Sequence, residues 1–138
     1  MEYSADLQLR YNDFDGQKII NNAVIFSLLE NSHLLFFEHL IGDKWNWNSV
    51  PLVLSKIRVL YLKQIKSKEN IYGKISVKEV KDFYVVLKIK LTSQSDDVYA
   101  IGELKLVHFD FEKYTKVKWD EFVYKALKRY LVVFNDLN

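Results

Sequence analysis

A chain without a single cysteine can form no disulfide, present no thiolate nucleophile and hold no cysteine-ligated metal. Proline occurs once and glycine four times, which leaves little room for the glycine-rich loops that cradle phosphates in nucleotide enzymes. No sign of charge dominates either, with 20 basic residues against 18 acidic ones and a formal net charge of +2. A nucleic-acid binder normally asks for a clearly basic balance, so no nucleic-acid partner is expected. The opening MEYSADLQLR carries acids early and lacks the apolar core of a signal peptide, and no later apolar run approaches the roughly 18 residues of a membrane span. The expectation is a cytoplasmic protein with no membrane partner. No internal repeat, linker or low-complexity tract interrupts the chain.

What is present suits one domain, residues 1–138, with 49% hydrophobic and 15% aromatic content, enough for a sizeable core. The organising stretch is Asp13 to Ile41. It opens with two acids and Gly16, passes Asn21 and Asn22, which suit a helix cap, and continues as about five turns of helix. Its only charged residues after Asn22 are Glu30 and Glu38, so the helix is apolar nearly all round and is expected to be enclosed. Tyr3 to Tyr11 alternates as a strand, and Gly42 stands where a helix ends.

Leu52 to Lys63 is rich in β-formers and places Lys56 and Arg58 on one face. Strands follow in which Ile71, Gly73, Ile75 and Val77, and then Phe83, Val85, Leu87, Ile89 and Leu91, alternate with polar residues. A last long strand, Val98 to Phe109, contains Ala100 and Gly102, small enough for a helix to pack closely. WDEFVYKALKRYLVVF then has the spacing of a terminal amphipathic helix. The fold class is α+β, a long central helix wrapped by an antiparallel sheet with a C-terminal amphipathic helix.

The run RYNDFDGQKIINNAVIFSLLE resembles the opening of the 4-hydroxybenzoyl-CoA thioesterase family of hotdog-fold enzymes, a strand, then D-x-D-x-x-G-x-V-x-N, then the long helix. The resemblance implies a hotdog fold and an acyl-CoA thioesterase that works without metal or other cofactor. Carried over residue by residue, it implies Asp15 as nucleophile or general base and the N–H of Asn22 as donor to the oxyanion. The physics is consistent with this, since N–H groups at a helix start lack intrahelical partners and have the positive end of the dipole behind them. Read without the resemblance, Asp13, Asp15 and Asn21 are turn and cap residues.

Glu30 is the competing acid. Phenylacetyl-CoA-type hotdog thioesterases carry their carboxylate about eight residues beyond the oxyanion N–H, and Glu30 is eight beyond Asn22. Eight helical residues span about 12 Å, so Glu30, expected to be buried, would have to act across a dimer. His33, His39 and His108 show no triad or metal spacing. A CoA-type substrate needs cations at the mouth of the cleft, for which Lys56, Arg58, Lys63, Lys66, Lys68 and Lys81 are candidates, with Lys18 beside the acidic turn and Asn21 and Tyr61 as further substrate contacts. A solvated strand face explains the same lysines equally well.

The sheet edge left open by one wrapped helix points to a homodimer or homotetramer, as the resemblance also implies. A second reading is a non-catalytic hotdog module for acyl or CoA binding or for assembly. Lys18 favours it, because the family has glycine there.

Overall fold

The computed structural model describes residues 1–9, 22–42, 50–65 and 70–133. In chain order these form β1 (Tyr3–Leu7), α1 (Asn22–Ile41), β2 (Leu52–Tyr61), β3 (Ile71–Val80), β4 (Tyr84–Thr92), β5 (Val98–Asp110), β6 (Thr115–Lys116) and α2 (Glu121–Lys128). One antiparallel sheet runs β1-β3-β4-β5-β2, with the short β6 attached to the end of β5. The α+β architecture expected from the sequence, a long helix on an antiparallel sheet and a second helix near the C-terminus, is the one observed.

Alternation sets the two faces of the sheet. Val59, Gly102 and Ile89 lie abreast on β2, β5 and β4 and share the inner face with Ala100, Leu104, Leu87, Ile75 and Gly73. Ile75, Leu87, Ile89, Leu91 and Leu104 are fully buried there. Bulges between Leu54 and Lys56 on β2 and between Val77 and Glu79 on β3 reset the alternation, and the second puts both Lys78 and Glu79 outside.

α1 lies on the inner face through Ile25, Leu28, Leu29, Ser32, His33, Phe36, Phe37 and Leu40. Two glycines permit the close approach. A Cβ on Gly102 would stand 2.8 Å from Leu29 Cδ1, and one on Gly73 would stand 2.9 Å from Ser32 Cβ and closer still to its hydroxyl. Gly42, at φ +87°, then stops the helix while its N–H donates to Glu38 O at 2.7 Å.

Several expectations change in the folded chain. Enclosure of α1 is one-sided, because Ala23, Phe26, Ser27 and Glu30 are exposed and Val24, Leu34 and Leu35 only half-buried. By length and composition this helix is apolar enough to cross a membrane, against the sequence reading, and its buried stripe accounts for part of that apolar content by packing on the sheet. β1 ends at Leu7 and β2 at Tyr61, both shorter than the alternation suggests.

α2 buries Val123, Ala126 and Leu127, leaves Phe122 exposed, and starts on Asp120, whose side chain accepts from Phe122 N–H. Tyr130 and Leu131 fall beyond its end and serve the sheet instead. Val77 N–H donates to Tyr130 O and Val132 N–H donates to Val77 O, both at 2.9 Å, covering β3 where β1 has run out.

Candidate active site

The start of α1 opens on a cleft of about 380 Å³ between Asn22 and Ile25 on the helix and Tyr61, Lys63 and Ile65 at the end of β2 and just beyond it. Local bonding fixes its far wall. The N–H groups of Leu62 and Lys63 both donate to Tyr99 O, at 2.9 and 3.1 Å, holding the chain against β5 after strand pairing stops. Ile65 is buried to 1% exposure and fixes the end of this segment. Lys63 stands at the rim, 3.7 Å from Asp97, with both side chains more than half exposed.

Three sequence-derived site residues, Asn22, Tyr61 and Lys63, therefore meet in one cleft. A helix start presents N–H groups without intrahelical acceptors, with the positive dipole end behind them, so a developing negative charge placed there is stabilised. The Ile25 and Ile65 side chains offer apolar walls, and the Tyr61 hydroxyl and Lys63 ammonium offer a donor and a cation at the margin. Ile25 and Ile65 are lining residues the sequence reading missed. A lone isoleucine within the polar stretch QIKSKEN was the available signal for the second.

Asp15, Lys18 and Asn21 lie outside the described residues, as do Asp13, Lys66 and Lys68. Glu30 is described, and its expected burial is corrected. It is exposed, because it falls off the stripe that α1 turns to the sheet, and it borders a separate groove of about 640 Å³ shared with Asp6, Gln8, Ser27 and Asn31. Arg58 and Lys81 do not reach the cleft within this chain. Arg58 stands opposite Glu103 in the strand register, on the outer face of the sheet, away from α1. Lys81 follows β3 at the end where Val85 pairs with Leu106 and Leu106 with Leu54. Leu54 is seven strand residues, about 23 Å, from Tyr61.

The histidines take structural positions. His39 Nε2 is 3.1 Å from the Tyr130 hydroxyl and stacks on Tyr3 at 4.6 Å, and His108 stacks on Trp119 at 4.9 Å. His33 is 4% exposed, and neither ring nitrogen has a hydrogen-bond partner among the described residues. Burial lowers its pKa to about 4. Because the folded value lies below the unfolded 6.5, the unfolded chain binds the proton more readily. Stability from this group is whole above pH 6.5 and is lost as pH falls towards 4, by about 3 kcal/mol in all. Urea midpoints at pH 7 and pH 4 should fall less steeply in His33→Leu than in the parent, and parallel slopes would refute the assignment.

The model of the thioesterase-like superfamily matches residues 9–127. No curated relative matches the chain in sequence. A predicted thioesterase from Bacillus stearothermophilus superposes with a TM-score of 0.86 at 16% identity, over 98% of this chain and 100% of that one. A Thermus thermophilus thioesterase complexed with coenzyme A and zinc gives 0.78 at 18% identity, over 91% of each chain. A DHNA-CoA thioesterase from Staphylococcus aureus gives 0.80 at 14% identity, over 93% and 89%. These likenesses establish the hotdog fold. With a family match that begins just past the first strand and ends within the second helix, the chain belongs to the thioesterase-like superfamily.

Proposed function

We propose that this protein is an acyl-CoA thioesterase that hydrolyses its substrate to the free acid and CoA with no metal or organic cofactor. The observation that carries the reading is the cleft at the start of α1, where Asn22 meets Tyr61 and Lys63. The thioester carbonyl oxygen takes the N–H of Asn22, and the acyl group lies against Ile25 and Ile65. Asp15 either attacks the carbonyl carbon or takes a proton from the water that does. The C–S bond then breaks, the acyl group leaves as the acid, and the sulfur leaves as the thiol. Removing one donor from an oxyanion hole costs about 2.7–4 kcal/mol, so the helix start alone supports a large share of such a rate. Lys63, at the rim, is suited to an anionic part of the carrier.

The same reading makes the protein a cytoplasmic homodimer or homotetramer. β2 has β5 on one side and no described strand on the other, and Leu54, Leu60, Tyr61 and Leu62 are exposed along it or just past its end. Pairing this edge with a second copy removes a long unprotected strand.

A thiol-release assay over acyl-CoA esters of graded chain length and aromatic character tests the activity, and sedimentation at micromolar concentration tests the assembly. Turnover with at least one ester and a species of twice or four times 16.4 kDa are expected. No release from any ester would favour a non-catalytic acyl- or CoA-binding or assembly module, and a monomer alone would refute the assembly.

A further inference from the structure

The two bulges of the sheet flank one place on its outer face. Leu54 stands opposite the buried Leu106 on the inner side, and the extra residue at Ser55 turns Lys56 outward, opposite Lys105. On β3 the bulge after the buried Val77 likewise turns Glu79 outward, opposite Val86. Between the two lies a hollow of about 320 Å³, bordered by the cations Lys56, Arg58, Lys78 and Lys105 and by the acids Glu79 and Glu103. Val86 is the one aliphatic residue that lines it.

The charges of this hollow do not balance. Four cations face two carboxylates, and both carboxylates are engaged. Glu79 accepts from the Tyr84 hydroxyl at 3.1 Å, and Glu103 takes the Lys78 ammonium at 2.7 Å. Lys105 lies over the Tyr84 ring, 4.3 Å from its centroid. Lys56 and Arg58 are exposed, and among the described residues neither forms an ion pair with an acid. Like charges in directly opposed positions destabilise a sheet, so the facing of Lys56 and Lys105, which a bulge brings about, is a cost that folding does not explain.

We infer that the hollow binds the phosphate chain of a small soluble polyphosphate, two or three phosphoryl groups long. Its cations stand on β3, β5 and β2, and the outer two of these strands are three strand spacings apart, about 14 Å, a spread that suits a chain of phosphates better than a single one. Arg58 supplies the planar fork that takes a phosphate in bidentate fashion, and the lysines supply point charges. The Tyr84 ring, covered by Lys105, offers no face for a base, so the phosphates are recognised and not a nucleoside. With a single aliphatic lining residue the hollow has nothing to insert into a bilayer, which favours a soluble ligand over a lipid headgroup. A second copy on the β2 edge lengthens the sheet and leaves this face open. The hollow lies on the side of the sheet away from α1, and the inference does not depend on the thioesterase reading.

Calorimetry at low salt with inorganic tripolyphosphate, on the protein in its native assembly, tests this. The parent should bind saturably and at least about tenfold more tightly than it binds orthophosphate, and ATP should bind within about threefold of tripolyphosphate. Lys56→Gln/Arg58→Gln should weaken binding at least about tenfold, as expected for the loss of two charge-assisted contacts. The control Lys113→Gln/Lys116→Gln, which has the same net charge, should match the parent. Glu103→Gln, which frees the Lys78 ammonium, should tighten binding, and Glu112→Gln, of equal charge, should not. No saturable binding by the parent, orthophosphate bound as tightly, equal loss in the two double variants or weaker binding in Glu103→Gln overturns the inference. A matching loss of affinity for free CoA in Lys56→Gln/Arg58→Gln also overturns it, by making the hollow part of the thioester site. Binding to vesicles that carry a phosphoinositide, with none to tripolyphosphate, overturns it in favour of a lipid headgroup.

Discussion

Asp15→Asn should lower the turnover of the best thioester substrate by at least about a hundredfold. Asparagine keeps the size and hydrogen-bonding capacity of the side chain but removes the basic oxygen, and a hundredfold is the lower end for loss of a positioned acid or base. That factor is about 2.7 kcal/mol of transition-state stabilisation. Glu30→Gln is the informative companion. Glu30 is exposed, so the variant removes no buried carboxylate. It should melt with the parent and keep activity within about threefold, within the scatter of exposed substitutions. Full activity in Asp15→Asn together with loss in Glu30→Gln would transfer the catalytic role to the helix carboxylate, acting across an assembly. Both mutants require a parent active on the chosen substrate.

Gly73→Ala should cost about 2 kcal/mol of stability, within the range for overpacking a core. At the size of this domain that is a fall of roughly 7 °C in melting temperature. The added methyl would sit 2.9 Å from Ser32 Cβ and closer to the hydroxyl, which is itself held by Leu28 O at 2.8 Å. Neither atom can withdraw without moving α1. Alanine is ordinarily the better strand residue by several tenths of a kcal/mol, so the sign of the change isolates the packing. Adding Ser32→Ala removes the nearer contact and should restore part of the loss. A single mutant melting within about 1 °C of the parent would mean that the helix does not ride this close to the sheet.

How much of this was legible in the sequence varied with the kind of signal. The bounds of α1, Asn22 to Ile41, follow from a cap-like asparagine, an apolar run and a glycine, all local features. The inward alternation on β3, β4 and β5 was equally plain, and Gly102 was correctly read as a seat for the helix. Gly73 was read as one more inward position, because a strand pattern does not say which residue the helix crosses. The exposure of Glu30 was hidden for a related reason. A helix apolar on several sides does not announce which side meets the sheet, and only packing on β1, β3 and β4 settles it.

The candidate site divided along the same line. Asn22, Tyr61 and Lys63 converge because the helix start and the end of β2 lie at one end of the sheet. Arg58, only three residues from Tyr61, was sent to the other face by strand periodicity, and Lys81 to the far end by the β3–β4 turn.

The sheet order also has a consequence in time. β3, β4 and β5 are neighbours both in sequence and in space, but α1 precedes all three, and most of the surface it rests on is made after it. A ribosome that has finished Ile41 must add sixty-nine more residues to reach Asp110 at the end of β5. At about 5–20 residues per second this takes roughly 3 to 14 s. Throughout that interval Phe36, Phe37, Leu29 and Leu40 have no completed sheet to lie on, so the most apolar segment of the nascent chain waits without its partner surface before it becomes the centre of a core.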